Sequence, residues 1–332
     1  MRDEYHLRGW TNMLIPLRLS GTRRPSIALT QPAWHVFHCA LVLVIIHLLM
    51  LLWNTAAAQT TRSAMPGTAL SEATEPLQFG IMPSQSAVTL MRAYAPLKSY
   101  LEHALKREII ISTAPNFPEF LRRTGTNEYD FVLTAPHFAK LAEDQHGWVR
   151  LARVQGTQRG VFLVEKTSAN QKIIDLGGKA LAIRDNLAFV TLLGEQELTE
   201  KGLSPGRNNI SFINSPSYTS AALSVIRGTA DAALISEVAF NKLPAADKNH
   251  LRVLAHTKTA PNLMLMANQK MGMNEITRLR NALLHFNEDR INSAAFSHNT
   301  GYSGLGPITG QDMRFIAPFV TILQQRLSPG RS

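Results

Sequence analysis

Few side chains in this 332-residue sequence are spaced for making or breaking bonds. No G-x-S-x-G elbow presents a serine nucleophile, and neither a G-x-x-x-x-G-K-[ST] phosphate loop nor a G-x-G-x-x-G dinucleotide turn occurs. His250 and His256 bracket an apolar run and share a face by strand parity, yet the intervening strand would hold them about 20 Å apart, too far for one metal. With no cysteine after Cys39 and no histidine pair at ligand spacing, zinc is not expected. Binding chemistry is better served. Arg184 closes the apolar run from Lys179, where its planar fork can hold an oxyanion bidentately. Glu237 opens a helical stretch and, facing a cleft, would favour a ligand with an amine. Asp130 and Asp231 lie beside or within apolar strands, where a structural role is expected. The expectation is a binding protein, not an enzyme, with no cofactor, no metal and no catalytic residue.

These residues are positioned by alternating short apolar runs and amphipathic stretches. Leu77 to Met82, Ile109 to Thr113, Tyr129 to Thr134 and Trp148 to Val154 read as strands, with helices at Ala87 to Lys106, Phe117 to Arg123 and Pro136 to Glu143 between them. A strand at Gly160 to Val164 leads into a second series. It has strands at Lys179 to Arg184, Ile210 to Ile213, Ala230 to Ile235 and Leu251 to His256, and helices at Leu187 to Lys201, Ser217 to Arg227 and Glu237 to Leu243. A strand at Asn262 to Ala267 and helices at Glu275 to Asn287, Arg290 to Ser297 and Gly310 to Arg326 complete the pattern. Repeated β-α-β order predicts an α/β fold of mostly parallel sheets with helices on both faces. Extended segments near Glu165 and Lys258 bracket the second series. They predict one lobe from residues 77–164 plus 259–327, an inserted lobe from 165–258, and a ligand cleft at the hinge between them.

Ahead of these elements, Ala40 to Leu52 is apolar apart from His47, follows a stretch containing Arg18, Arg23 and Arg24, and precedes Ala56-Ala57-Ala58-Gln59. That order reads as a secretory signal over residues 1–58, cleaved after Ala58. An uncleaved membrane anchor from Val36 to Trp53 is the alternative, and both place the remainder outside the cytoplasm. Residues 59–76 are rich in Thr, Ser, Ala, Pro and Gly and read as a flexible leader. Loss of the first 58 residues removes the one cysteine, which suits an oxidising periplasm, and leaves 29 basic against 22 acidic residues, a net +7 in place of +10. Dispersed Lys and Arg on an exported chain argue against nucleic acid as a partner and for a modest preference for anions.

The stretches Leu77 to Pro83, Tyr94 to Glu102, Tyr129 to Pro136 and Ser217 to Ala233 follow one another in an order that resembles a known family. It is the phosphate/phosphite/phosphonate-binding group among the periplasmic substrate-binding proteins of ABC transporters. The resemblance implies the two-lobed type II periplasmic-binding-protein fold, a small-molecule ligand, an ABC permease in the inner membrane as partner, and a monomer. It also implies an anion seated on helix N-termini that face the cleft, where unpaired N–H groups and the macrodipole favour negative charge. By position, Pro83, Ser84 and Gln85 would line the first lobe, and Thr134 and His137 would follow the third strand, His137 standing where the family often has tyrosine. Ser217 matches the serine at a family helix start, and Tyr218 stands where a histidine would be. Ser84 and Ser217 also read as helix caps, and His137 as a surface or capping histidine.

One departure bears on the ligand. The family's phosphonate binders carry a hydroxyl-rich STSG helix start in the second lobe, whereas this sequence reads Arg184-Asp185-Asn186-Leu187-Ala188-Phe189-Val190-Thr191. Arg184 and Asn186 remain as polar candidates, while Ala188, Phe189 and Val190 replace the hydroxyls. Each charge-assisted hydrogen bond so lost is worth roughly 1.5 to 3 kcal/mol. The implied ligand is larger, less charged or partly apolar. The resemblance points to an exported solute-binding protein for an importer; a membrane-anchored sensor and an enzyme on the same bilobal fold are the alternatives.

Overall fold

A computed structural model describes residues 75–204 and 210–328. The apolar segment and the cleavage site read above lie outside them. The chain begins with β1 (Leu77–Ile81), α1 (Ala87–Leu105), β2 (Ile109–Ser112), α2 (Phe117–Gly125), β3 (Phe131–Thr134), α3 (Pro136–His146) and β4 (Val149–Val154). It continues through β5 (Thr157–Gln158), β6 (Gly160–Glu165), β7 (Lys179–Ile183), α4 (Phe189–Glu200), β8 (Ile210–Asn214), α5 (Tyr218–Ile226) and β9 (Ala232–Ser236). Short helices α6 (Glu237–Asn241) and α7 (Ala245–Lys248) precede β10 (Leu251–His256). The return carries β11 (Ala260–Pro261), β12 (Met264–Ala267), α8 (Met273–His285), α9 (Arg290–Thr300), β13 (Leu305–Gly306) and α10 (Gly310–Leu327).

Two sheets result. The first has the order β13-β4-β12-β3-β1-β2 and the second β10-β6-β9-β7-β8. Both are mixed, not mostly parallel as expected: parallel pairing is confined to β2-β1-β3 in one and β9-β7-β8 in the other. Antiparallel strands complete both: β12, β4 and β13 in the first, β6 and β10 in the second. Strand β6, expected to end the first lobe, pairs with β9 and β10 and is a strand of the second sheet. Its run Val161, Phe162, Leu163 and Val164 is buried on both faces because helices cover the sheet on each side. The chain passes between the sheets at β5 and β11, an antiparallel pair too short to show a period in the sequence.

Strand alternation divides the cores. Phe79, Phe131 and Leu265 point to the side covered by α1, α8 and α9, while Val132, Met264 and Met266 point to the side covered by α2, α3 and α10. In the second sheet, Phe162, Leu181 and Leu234 meet α4, and Leu163, Ala182 and Ala233 meet α5. Gly194 brings α4 onto the sheet, since a Cβ there would collide with the Leu234 side chain. In β10 a bulge between Val253 and Ala255 breaks the alternation on which the same-face reading of His250 and His256 rests.

Helix starts follow their caps. Ser86, rather than Ser84, caps α1 by accepting from the Thr89 amide at 3.3 Å; Ser84 sits in the preceding turn, its own amide donating to the Met82 carbonyl. Ser217 caps α5 through the Ser220 amide at 3.0 Å. The N-cap of α4 is Ala188, which has no side chain to offer. Among the described residues no helix is long and apolar enough to cross a membrane.

Candidate functional site

The site grows from the turn between β7 and α4. After Ile183 the chain leaves the sheet, and Asp185 organises the next residues, its Oδ1 accepting from the Leu187 amide at 2.7 Å and its carbonyl from the Thr191 hydroxyl at 2.8 Å. The first turns of α4 are apolar and pack into the cluster of α2, α3 and α10, so that Leu187, Phe189 and Leu193 share a core with Phe117, Phe138 and Phe319. Helix α4 thus belongs to the second sheet by connectivity and touches the helices of the first.

Polar contacts fix that junction. His137 Nε2 lies 2.8 Å from the Leu187 carbonyl oxygen, and the imidazole stacks on Phe189 with centroids 5.0 Å apart. Since a carbonyl only accepts, Nε2 carries the proton and Nδ1, which has no partner, is bare. Complete burial pushes the His137 pKa down to about 3 against the raising effect of the Leu187 bond, so the ring is neutral at ordinary pH. From α10, Arg326 donates to the Asn186 carbonyl and pairs with Glu195.

Beside the junction lies a cavity of about 40 Å³. That is room for about three water-sized groups. Met82, Ser84, Phe117, Ala135, Phe138 and Leu263 line it from the first sheet and its helices; Arg184, Ala188, Phe189, Val190 and Tyr218 line it from the second. Gln158 contributes from the crossing strand. Arg184 donates from Nη2 to the Pro83 carbonyl at 3.1 Å, and its guanidinium stands over the Phe117 ring, 5.2 Å from the centroid. Its Nε is buried without a hydrogen-bond partner. Tyr218 is the first residue of α5; burial raises its phenol pKa well above the usual value, Arg184 opposing, so the hydroxyl stays a neutral donor.

Of the residues expected at the site, Ser84, Arg184 and Tyr218 line the cavity. Pro83 is buried behind it and supplies the carbonyl that anchors Arg184, while Gln85 is exposed and outside. Thr134 and His137 are both buried and lie behind the wall formed by Ala135 and Phe138; the Thr134 hydroxyl has no partner. The surface reading of His137 is therefore corrected: its apolar neighbours exclude water from it completely. Asn186 is exposed and takes part through its carbonyl, and Ser217 acts as a cap. Glu237 pairs with Arg159 at 2.5 Å and stands 3.8 Å from His256, outside the cavity lining. Phe117, Phe138 and Gln158 were missed. Aromatic residues on amphipathic helices read as core, and a glutamine in a two-residue strand carries no pattern.

A family model described as ABC transporter, phosphonate, periplasmic substrate-binding protein matches residues 79–313. The chain belongs to this family. It is thus a solute-binding component of an ABC transport system, of a family that works in the periplasm. Solved structures share the fold at low identity. PhnD1 from Prochlorococcus marinus, in complex with methylphosphonate, is 15% identical with a TM-score of 0.66, the match covering 75% of this chain and 98% of that one. XAC2383 from Xanthomonas citri, bound to ATP, is 18% identical with a TM-score of 0.65 over 76% of this chain and 99% of that one. The aliphatic sulphonate binding protein SsuA from Escherichia coli is 15% identical with a TM-score of 0.54 over 77% and 94%. These likenesses establish the type II periplasmic-binding fold for this family member.

Proposed function

We propose that the cavity between the two sheets is where this protein holds a small oxyanionic solute, and that Arg184 is the cation that holds it. The observation that carries the reading is that Arg184 lines the cavity with its Nε buried and without a partner, while Nη2 is engaged by Pro83. A buried donor left unsatisfied costs about 1–3 kcal/mol, more when charged, and an anion in the cavity would remove that cost. Tyr218 and Ser84 add hydroxyls from opposite walls. Because the walls come from both sheets, a solute that bridges them favours the closed arrangement by the difference in its contacts.

Strand pairing supports placing the lobe boundary at β5 and β11, with β6 to β10 forming the inserted lobe. Residues 1–58 export the chain, processing after Ala58 frees it, and the loaded monomer delivers its solute to an inner-membrane permease without chemical change. PhnD1 with its methylphosphonate supports an oxyanion as the cargo class. The test is calorimetry with a panel of small phosphonates, sulfonates and carboxylates. Arg184→Ala should weaken whichever member binds by about 10- to 100-fold, and Arg184→Lys should recover part of it. Equal affinity in wild type and Arg184→Ala would show that the cation of the site lies elsewhere.

A further inference from the structure

Resting on that reading of the cavity, we infer that the site selects a singly charged oxyanion with a short apolar substituent and discriminates against doubly charged ones. The argument is a charge count against a wall chemistry. Among the described residues Arg184 is the one charged side chain lining the cavity, and no carboxylate or second cation among them lines it. The other polar groups, Ser84, Gln158 and Tyr218, are neutral, and burial holds the Tyr218 phenol in its protonated form.

The charged groups around Arg184 reduce its effect. Asp185, next in the chain, is turned to the Leu187 amide, and its negative charge reaches Tyr218 and opposes that of Arg184 there. On the facing helix α3, His137 is neutral and contributes no positive charge. One guanidinium therefore meets the ligand, with part of its donor set already committed to Pro83. A monoanion would be matched by it. A dianion would bring a second charge against Phe117, Phe138, Phe189 and Val190 with no second cation to meet it and only the start of α4, worth about half an elementary charge, to offset it, and an undercompensated charge in an apolar setting is disfavoured. Ala188, Phe189 and Val190 bring no side-chain hydroxyl to this wall, so no neutral side-chain hydrogen bond from it spreads such a charge. The same apolar side chains, in about 40 Å³, suit a methyl or ethyl group rather than a hydrated oxygen.

Two sulfur oxyanions separate charge from pH. Methanesulfonate is a monoanion and inorganic sulfate a dianion throughout the neutral range, so calorimetry of the purified protein with each at one pH reads the selection directly. Methanesulfonate should bind at least about tenfold more tightly than sulfate. Methylphosphonate supplies a second arm, because its second ionisation lies near neutrality. Its affinity should fall between about pH 5.5 and about pH 8.5 while that of methanesulfonate stays level. Sulfate binding as tightly as methanesulfonate, or methylphosphonate binding more tightly at the higher pH, would overturn the charge selection and leave the oxyanion site standing. No binding of any of the three at either pH would overturn the site assignment, and the selection with it.

Discussion

His137 on α3 donates from Nε2 to the Leu187 carbonyl oxygen at 2.8 Å, so a helix packed on the first sheet holds the turn that opens α4 of the second. The bond joins residues 50 apart in sequence and is wholly buried. Together with the stack of His137 on Phe189, it sets the height at which Ala188 and Val190 enter the cavity wall.

The titration of His137 should be visible in stability. In the unfolded chain the imidazole takes up a proton as pH falls below about 6.5, whereas the folded protein refuses it until about pH 3. The unfolded state binds more protons across that window, so stability is full above it and falls as pH drops through it, by up to about 1.4 kcal/mol per pH unit. Thermal melts between about pH 7 and about pH 5 should show a steeper decline for the wild type than for His137→Gln, whose amide can still donate to Leu187. Parallel declines would mean that His137 is protonated in the fold.

A second contact across the junction predicts an asymmetric result. Arg326 pairs with Glu195, whose carboxyl pKa burial raises and Arg326 lowers, the net shift being upward. Arg326→Ala strands a largely buried carboxylate and should cost about 2–3 kcal/mol in chemical denaturation. Adding Glu195→Gln to that variant should restore part of the loss, because the uncompensated charge is gone. A double variant no more stable than Arg326→Ala would assign the loss to the Asn186 carbonyl, the other group Arg326 holds.

Much of this fold was legible because the local signals are strong. The alternation of Leu77, Phe79 and Ile81 and the Ser217 cap each mark an element to within a residue or two. The sheet to which β6 belongs was less legible. Gly160 to Val164 reads as a buried strand in either sheet, and only pairing with β9 and β10 decides which. The site was legible in its polar members and illegible in its apolar ones. Arg184 stands out at a strand end, and the missing hydroxyls at Ala188 to Val190 were visible as a departure. Phe117 and Phe138 carry the same spacing whether they face a core or a ligand, and the partner of Glu237, Arg159, is too distant in sequence for any local pattern to announce the pair.

The central claim, that Arg184 and the aromatic wall around it form the solute site, is tested most directly by locating a ligand. A crystal of the protein grown with bromomethanesulfonate, whose substituent is about ethyl-sized, would report the bromine position through its anomalous signal. The account predicts one peak inside the cavity beside Phe117 and Phe138, with the sulfonate oxygens within about 3 Å of Arg184 Nε. A peak elsewhere, or a bound sulfonate that leaves Arg184 Nε without a partner, would contradict it.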